Sequence, residues 1–152
     1  MKYKKFGKMD FKKLHPAGSL GAKLKTVEDI MITGKNISFV NENIEMKKAI
    51  EILTEKKLEI LIIKNKNGKT SGIITDGQIR RFSQKNDKFH LLPVKKIMTK
   101  NPIFVDKNEL AAKALSIMDK KKITSLMVNT KKVPKKTIGV IHIHTILQSN
   151  IS

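Results

Sequence analysis

Two short stretches of the chain hold the side chains best placed to do chemistry. In "GIITDGQIRR", Gly72 to Arg81, an apolar strand-like run ends at Thr75 and restarts as a helix near Asp76. A helix starting there directs backbone N–H groups and the positive end of its dipole outward. Arg80 and Arg81 follow one turn later, where a guanidinium can fork onto phosphate or carboxylate. Three readings stand: a phosphate-binding turn, a catalytic carboxylate at Asp76, or a plain Asp76-Gly77 cap beside a solvated arginine pair. In "GVIHIHTIL", His142 and His144 are two residues apart and share one face of an extended strand. Two imidazoles fall short of the three or four ligands that zinc takes, and His90 is remote in sequence, so no metal or other cofactor is expected. The glutamates and aspartates, Glu28-Asp29 included, form no carboxylate pair of recognisable spacing. With no Cys there is no thiolate nucleophile, no disulfide and no Cys-ligated metal.

The elements that must position these residues come twice. "VEDIM" (Val27 to Met31) returns as "VKKIM" (Val94 to Met98). At an offset of 65, residues 39–63 match their counterparts at 9 of 25 positions: Phe39, Val40, Asn43, Lys48, Ala49, Ile52, Lys56, Lys57 and Leu61. Such a match argues for duplication of one supersecondary unit. Each copy reads as a short strand (Ile37 to Val40; Pro102 to Val105) ending at Asn or Asp, which can cap the next helix. That helix carries Met46, Ala49, Ile50 and Leu53 on one face, and in the second copy Leu110, Ala111, Ala114, Leu115 and Met118. The apolar runs "EILIIK" and "SLMVN" suit strands buried on both faces. A turn, the strand "GIIT" or "GVIH", and a short helix starting near Asp76 or Ile143 complete each copy. The class expected is α/β (α+β): β-α-β-β-α twice, joined through residues 83–96, with the two copies packed sheet against sheet.

Composition narrows the function classes. The 152 residues include 39% hydrophobic residues but one Tyr, six Phe and no Trp, so the core must be aliphatic. No apolar run reaches the length of a membrane span, and "MKYKKFGKMDF" lacks the apolar core of a secretory signal. Absence of Cys fits a cytoplasmic setting. Thirty-two Lys and Arg against 13 Asp and Glu give a net charge of +19. The basic residues are nearly all Lys, spread over almost every polar position, with few aromatics to stack on bases. That pattern reads as composition, and neither a specific nucleic-acid partner nor a membrane is expected.

The order of these pieces resembles a tandem cystathionine beta-synthase (CBS) domain pair, the Bateman module, from Val27 to about Ser149. A narrower resemblance rests on "LHPAGSLGAKL" (Leu14 to Leu24), "VEDIM", "GIITDGQIRR", "KIMTKNP", "ITSLMV" and "GVIHIHTIL". These look like the C-terminal part of bacterial arabinose-5-phosphate isomerases, which interconvert ribulose 5-phosphate and arabinose 5-phosphate for Kdo and lipopolysaccharide. The resemblance implies that residues 1–26 are the tail and linker of a sugar-isomerase (SIS) domain missing from this sequence. CBS repeats would then occupy 27–84 and 94–149, with 85–93 as linker. His15 matches a family active-site histidine, but without companions it is expected to be catalytically silent. Pro16 and Gly18 match too; Ala17 stands where the family usually has Gly.

The family's adenosine pattern, Gly-aliphatic-aliphatic-Thr/Ser-x-x-Asp, implies a ligand in the cleft between the repeats. In the first copy Thr75 keeps the hydroxyl and Gln78 replaces the carboxylate that would hold the ribose; in the second, His142 and Thr145 stand there. The implied ligand residues are Thr75, Asp76, Gln78, Arg80, Arg81, His142 and His144. The ligand is expected to be a nucleotide or sugar nucleotide such as the cytidine nucleotide of Kdo (CMP-Kdo). The module is expected to form a homodimer, and a tetramer when joined to its catalytic domain. Three other readings stay open: a stand-alone nucleotide-sensing CBS protein, a basic nucleic-acid-binding protein, and a dimerisation scaffold with an empty cleft.

Overall fold

A computed structural model of the chain describes residues 24–149. These fall into two units, one of residues 33–102 and one that joins 103–149 to the leading segment 24–32. No helix among the described residues is long and apolar enough to cross a membrane.

The first unit runs β1 (Phe39–Asn41), α2 (Met46–Lys56), β2 (Ile60–Lys64), β3 (Thr70–Thr75), α3 (Asp76–Lys85) and β4 (Thr99–Lys100), α1 being the helix Val27–Ile30 of the leading segment. Its sheet has the order β1-β2-β3-β4. β1 and β2 are parallel, a pairing that requires a crossover, and α2 supplies it. β2 pairs antiparallel with β3, and β3 with β4. Ile60, Leu61, Ile62 and Ile63 are all buried, as the uninterrupted apolar run demanded. The second unit runs β5 (Phe104–Asp106), α4 (Ala111–Lys121), β6 (Ser125–Asn129), β7 (Gly139–His142) and α5 (Ile143–Gln148). Its sheet, β5-β6-β7, repeats the parallel-then-antiparallel pattern. The elements from β5 to β6 start 65 residues after their counterparts. Past the longer β6–β7 turn, the strand end moves to 67, from Thr75 to His142.

The duplicated leading segments are exchanged. Val94, Ile97 and Met98, from the second "VKKIM" copy, pack into the core of the first unit with Met46, Leu61 and Ile74. Val27, Ile30 and Met31, from the first copy, pack into the second unit with Leu126, Ile141 and Ile146. Residues 85–93, read as a linker, carry Phe89 into the first core at 8% exposure. Their Leu92 carbonyl accepts the first N–H of α2, from Met46, at 2.8 Å. In the second unit the Lys25 carbonyl accepts the Ala111 N–H at 2.9 Å. These bonds correct the expected capping. Neither Glu45 nor Leu110, the actual N-caps, makes a side-chain cap. The Asn41 and Asp106 side chains instead accept from Asn43 and Asn108 N–H, both at 2.8 Å. They lie too many residues before the helices to reach a first-turn amide, so they close local Asx turns.

Both long helices end in the same strained way. Lys57 (φ 53°) and Lys122 (φ 60°) occupy the left-handed region, and Leu58 and Ile123 N–H reach back to Leu53 and Met118 carbonyls at 3.0 Å. This is the Schellman arrangement that usually carries glycine. Lys57→Gly and Lys122→Gly are each expected to stabilise the chain by about 0.5 kcal/mol. The Cβ penalty of the left-handed conformation is relieved, and the greater freedom of an unfolded glycine offsets part of the gain. Urea unfolding of each variant checks this; a midpoint below the parent's would show that the lysine side chains contribute more than the strain costs.

Candidate functional site

Each unit carries one strand-to-helix junction holding the predicted site residues. At the β3–α3 junction the chain leaves the sheet in extended conformation at Thr75 (φ −109°, ψ 159°) and enters the helix at Asp76. Thr75 is the N-cap: its Oγ1 accepts the Gln78 N–H at 3.3 Å, and its own N–H donates to Gln78 Oε1 at 3.0 Å. The two residues form a reciprocal capping box, a Thr-x-x-Gln spacing that the sequence already displayed. Gln78 is 9% exposed, and its Nε2 donates to the Ile97 carbonyl at 3.4 Å. Its amide is therefore engaged at both ends. This corrects two expectations. The cap belongs to Thr75 with Gln78, not to Asp76-Gly77. The first-turn amides are also not all directed outward, because the Asp76 N–H donates to the Glu59 carbonyl at 3.2 Å.

Three residues of the junction face solvent. Asp76 and Arg80 are exposed and pair one turn apart, Oδ2 to Nη2, at 3.7 Å. An exposed pair of this kind holds little energy and yields readily to a better partner. Arg81 is exposed too, and its guanidinium folds back over the first turn: a Cβ added to Gly77 would lie 3.4 Å from Arg81 Nη1. The cation thus rests near the helix start, where the dipole also favours negative charge. Sequence spacing placed both arginines on the helix; the fold-back over Gly77 needed the backbone path.

The β7–α5 junction repeats the design with different atoms. His142 is the N-cap of α5, its Nδ1 accepting the His144 N–H at 3.1 Å. Thr145 Oγ1 accepts the His142 N–H at 3.3 Å and donates to the His142 carbonyl at 2.7 Å. The residues that replace the hydroxyl and the carboxylate of the adenosine pattern are thus again capping partners. The two imidazole rings lie 4.7 Å apart, centroid to centroid. His90 sits in the first unit, on the short turn Phe89–Leu91, edge-on to Phe89. His15 lies outside the described residues.

Comparison with known proteins agrees with this architecture. The CBS domain profile matches twice, over residues 27–85 and 94–151. The uncharacterized protein RP505 of Rickettsia prowazekii is 36% identical over 147 residues, 97% of this chain and 44% of that protein. Arabinose 5-phosphate isomerase KdsD of Salmonella typhi is 34% identical over 152 residues, 99% of this chain and 45% of the enzyme. The chain thus spans a little under half the length of these relatives. Among solved structures, the CBS domain pair of protein MJ0100, in complex with 5-methylthioadenosine and S-adenosyl-L-methionine, superposes with a TM-score of 0.72 at 25% identity. That likeness covers 82% of this chain and 94% of the other. Two matched repeats, two sheets sharing a parallel-then-antiparallel order and two capped junctions lead to one conclusion: the chain belongs to the CBS domain family, as a tandem pair.

Proposed function

We propose that this CBS pair is the regulatory part of an arabinose-5-phosphate isomerase, acting in the cytoplasm as a homodimer and binding an anionic nucleotide or sugar nucleotide. One observation carries the ligand class: Arg80 and Arg81 are both exposed at the α3 start, with the Arg81 guanidinium over Gly77. A phosphate there would exchange the weak Arg80–Asp76 pair for charge-assisted bonds beside a positive helix end. In this reading Thr75 and Gln78, like His142 and Thr145, shape the junctions through their caps, while the arginines, Asp76 and His144 meet the ligand. The 34% identity to KdsD along the whole chain supports the isomerase assignment. The Gln78 amide, engaged at both ends within the junction, leaves the exposed Asp76 as the carboxylate there that could accept from a sugar hydroxyl, in a nucleotide or a sugar nucleotide such as CMP-Kdo.

Titration calorimetry of the chain with CMP-Kdo, CMP and AMP tests the proposal. Binding of CMP-Kdo is expected, weakened about tenfold by Arg81→Ala, the loss typical of one charge-assisted contact. Flat traces with all three compounds would sink it. The chain alone is expected to leave arabinose 5-phosphate unconverted; measurable turnover would move the catalytic site into this half of the enzyme.

A further inference from the structure

The leading segment 24–32 is bound into the second unit by contacts that converge on the β7–α5 junction. Ile32 and Val140 exchange both backbone bonds of an antiparallel bridge, at 2.7 and 3.0 Å. Val140 lies in β7, two residues before His142, the N-cap of α5. Val27, with no exposed surface, shares a hydrophobic cluster with Ile143 and Ile146, the inner face of α5. Val27 N–H donates to the Glu109 carbonyl at 2.8 Å, Glu28 N–H to the Lys107 carbonyl at 3.0 Å, and Lys107 Nζ pairs with Glu28 at 3.4 Å. A capping box of Thr26 and Asp29 holds the four-residue helix α1 in shape. The segment is therefore a strap that lies before the first unit in sequence but is fastened to the second.

We propose that this strap is the relay of the module: a change at the β7–α5 junction alters how firmly residues 24–32 are held, and so acts on the chain ahead of residue 24. The coupling runs by two routes, the Val140–Ile32 bridge and the hydrophobic cluster that Val27 shares with Ile143 and Ile146. Coupling of this kind is reciprocal, so loosening the strap must loosen the junction in turn. The proposal gives a structural course to the regulatory reading above, but it concerns the protein without ligand and is tested without one. A flat calorimetric titration would therefore leave it standing.

The test is amide hydrogen exchange on the full chain, with Thr145→Val as the perturbation. This change keeps the side chain's shape and removes the Oγ1 that bonds both the N–H and the carbonyl of His142. The readout is the exchange rate of Ile32 and Val27 N–H relative to Val128 in the central strand β6. That ratio is expected to rise at least tenfold, while Met46 and Met98 N–H in the first unit keep their parent rates. Faster exchange in α5 with an unchanged ratio at Ile32 and Val27 would overturn the relay. Should Thr145→Val fail to fold, Val27→Ala serves in the opposite direction. Ile143 N–H, bonded to the Thr124 carbonyl at 2.9 Å, is then expected to exchange faster relative to Val128. An unchanged ratio there would equally overturn it.

Discussion

Replacing Gly72 with alanine is expected to cost about 3 kcal/mol of stability, the upper end of what overpacking a tight core costs. Gly72 lies in β3 between two neighbours, in register with Ile63 of β2 and Lys100 of β4. A Cβ there would fall 2.6 Å from Met98 Sδ and 2.7 Å from the Thr99 carbonyl oxygen. The methionine can swing away, but the carbonyl belongs to β4, where Thr99 is in register with Ile73. Relief therefore requires the β4 backbone to shift against β3, at the place where the second "VKKIM" copy closes the first unit. Urea unfolding measures the loss, and a parent-like midpoint would show that β4 contributes little to the unit. Gly68→Ala is the control. That glycine has φ 79° and an added methyl would meet nothing within 4 Å, so only the backbone penalty applies, about 1 kcal/mol.

Gln78→Leu is expected to destabilise the chain by about 2 kcal/mol although it keeps the side chain's volume and lowers its polarity. A polar-to-apolar change at a nearly buried position is favourable when both hydrogen-bonding partners disappear. Here only one does. The Thr75 N–H loses its acceptor at 3.0 Å and the Ile97 carbonyl loses its donor at 3.4 Å. The Ile97 bond joins the α3 start to the segment that leads into β4, so the loss also loosens the exchanged "VKKIM" copy. Thermal unfolding of the variant against the parent reads the effect; equal stability would mean that water replaces both partners at no cost. The pair Gln78→Leu and Arg81→Ala separates two roles at one junction. The first is expected to act on stability, the second on ligand affinity with stability intact, because Arg81 is exposed and Gln78 is not.

Much of this protein is legible along the chain. The 65-residue repeat, the buried β2 and β6 runs and the starts of α3 and α5 at Asp76 and Ile143 all follow from periodicity and turn chemistry. These are local properties: whether a stretch is strand or helix depends on apolar spacing and on residues within a few positions of its ends. The site residues were legible as positions. Gln78 stands in a ligand pattern, and its spacing from Thr75 is also that of a capping box, the arrangement the structure shows. Conversely, the Asn41 and Asp106 side chains have the right type for caps, but the turn that follows each of them consumes it.

The exchange of leading segments could not be read from order along the chain. A contiguous repeat suggests copies at 27–84 and 94–149, with 85–93 as linker. Without the leading segments β3 and β7 would each end their sheets with an edge of unpaired backbone groups, and a segment is held wherever it satisfies those groups and buries its own apolar face. Val94 to Lys100 does so on β3, and Val27 to Ile32 does so on β7, each with the copy it does not belong to by sequence. Pattern along the chain specifies which surfaces need a partner; long-range geometry, through backbone pairing and apolar contact between residues as far apart as Ile32 and Val140, selects which partner each one gets.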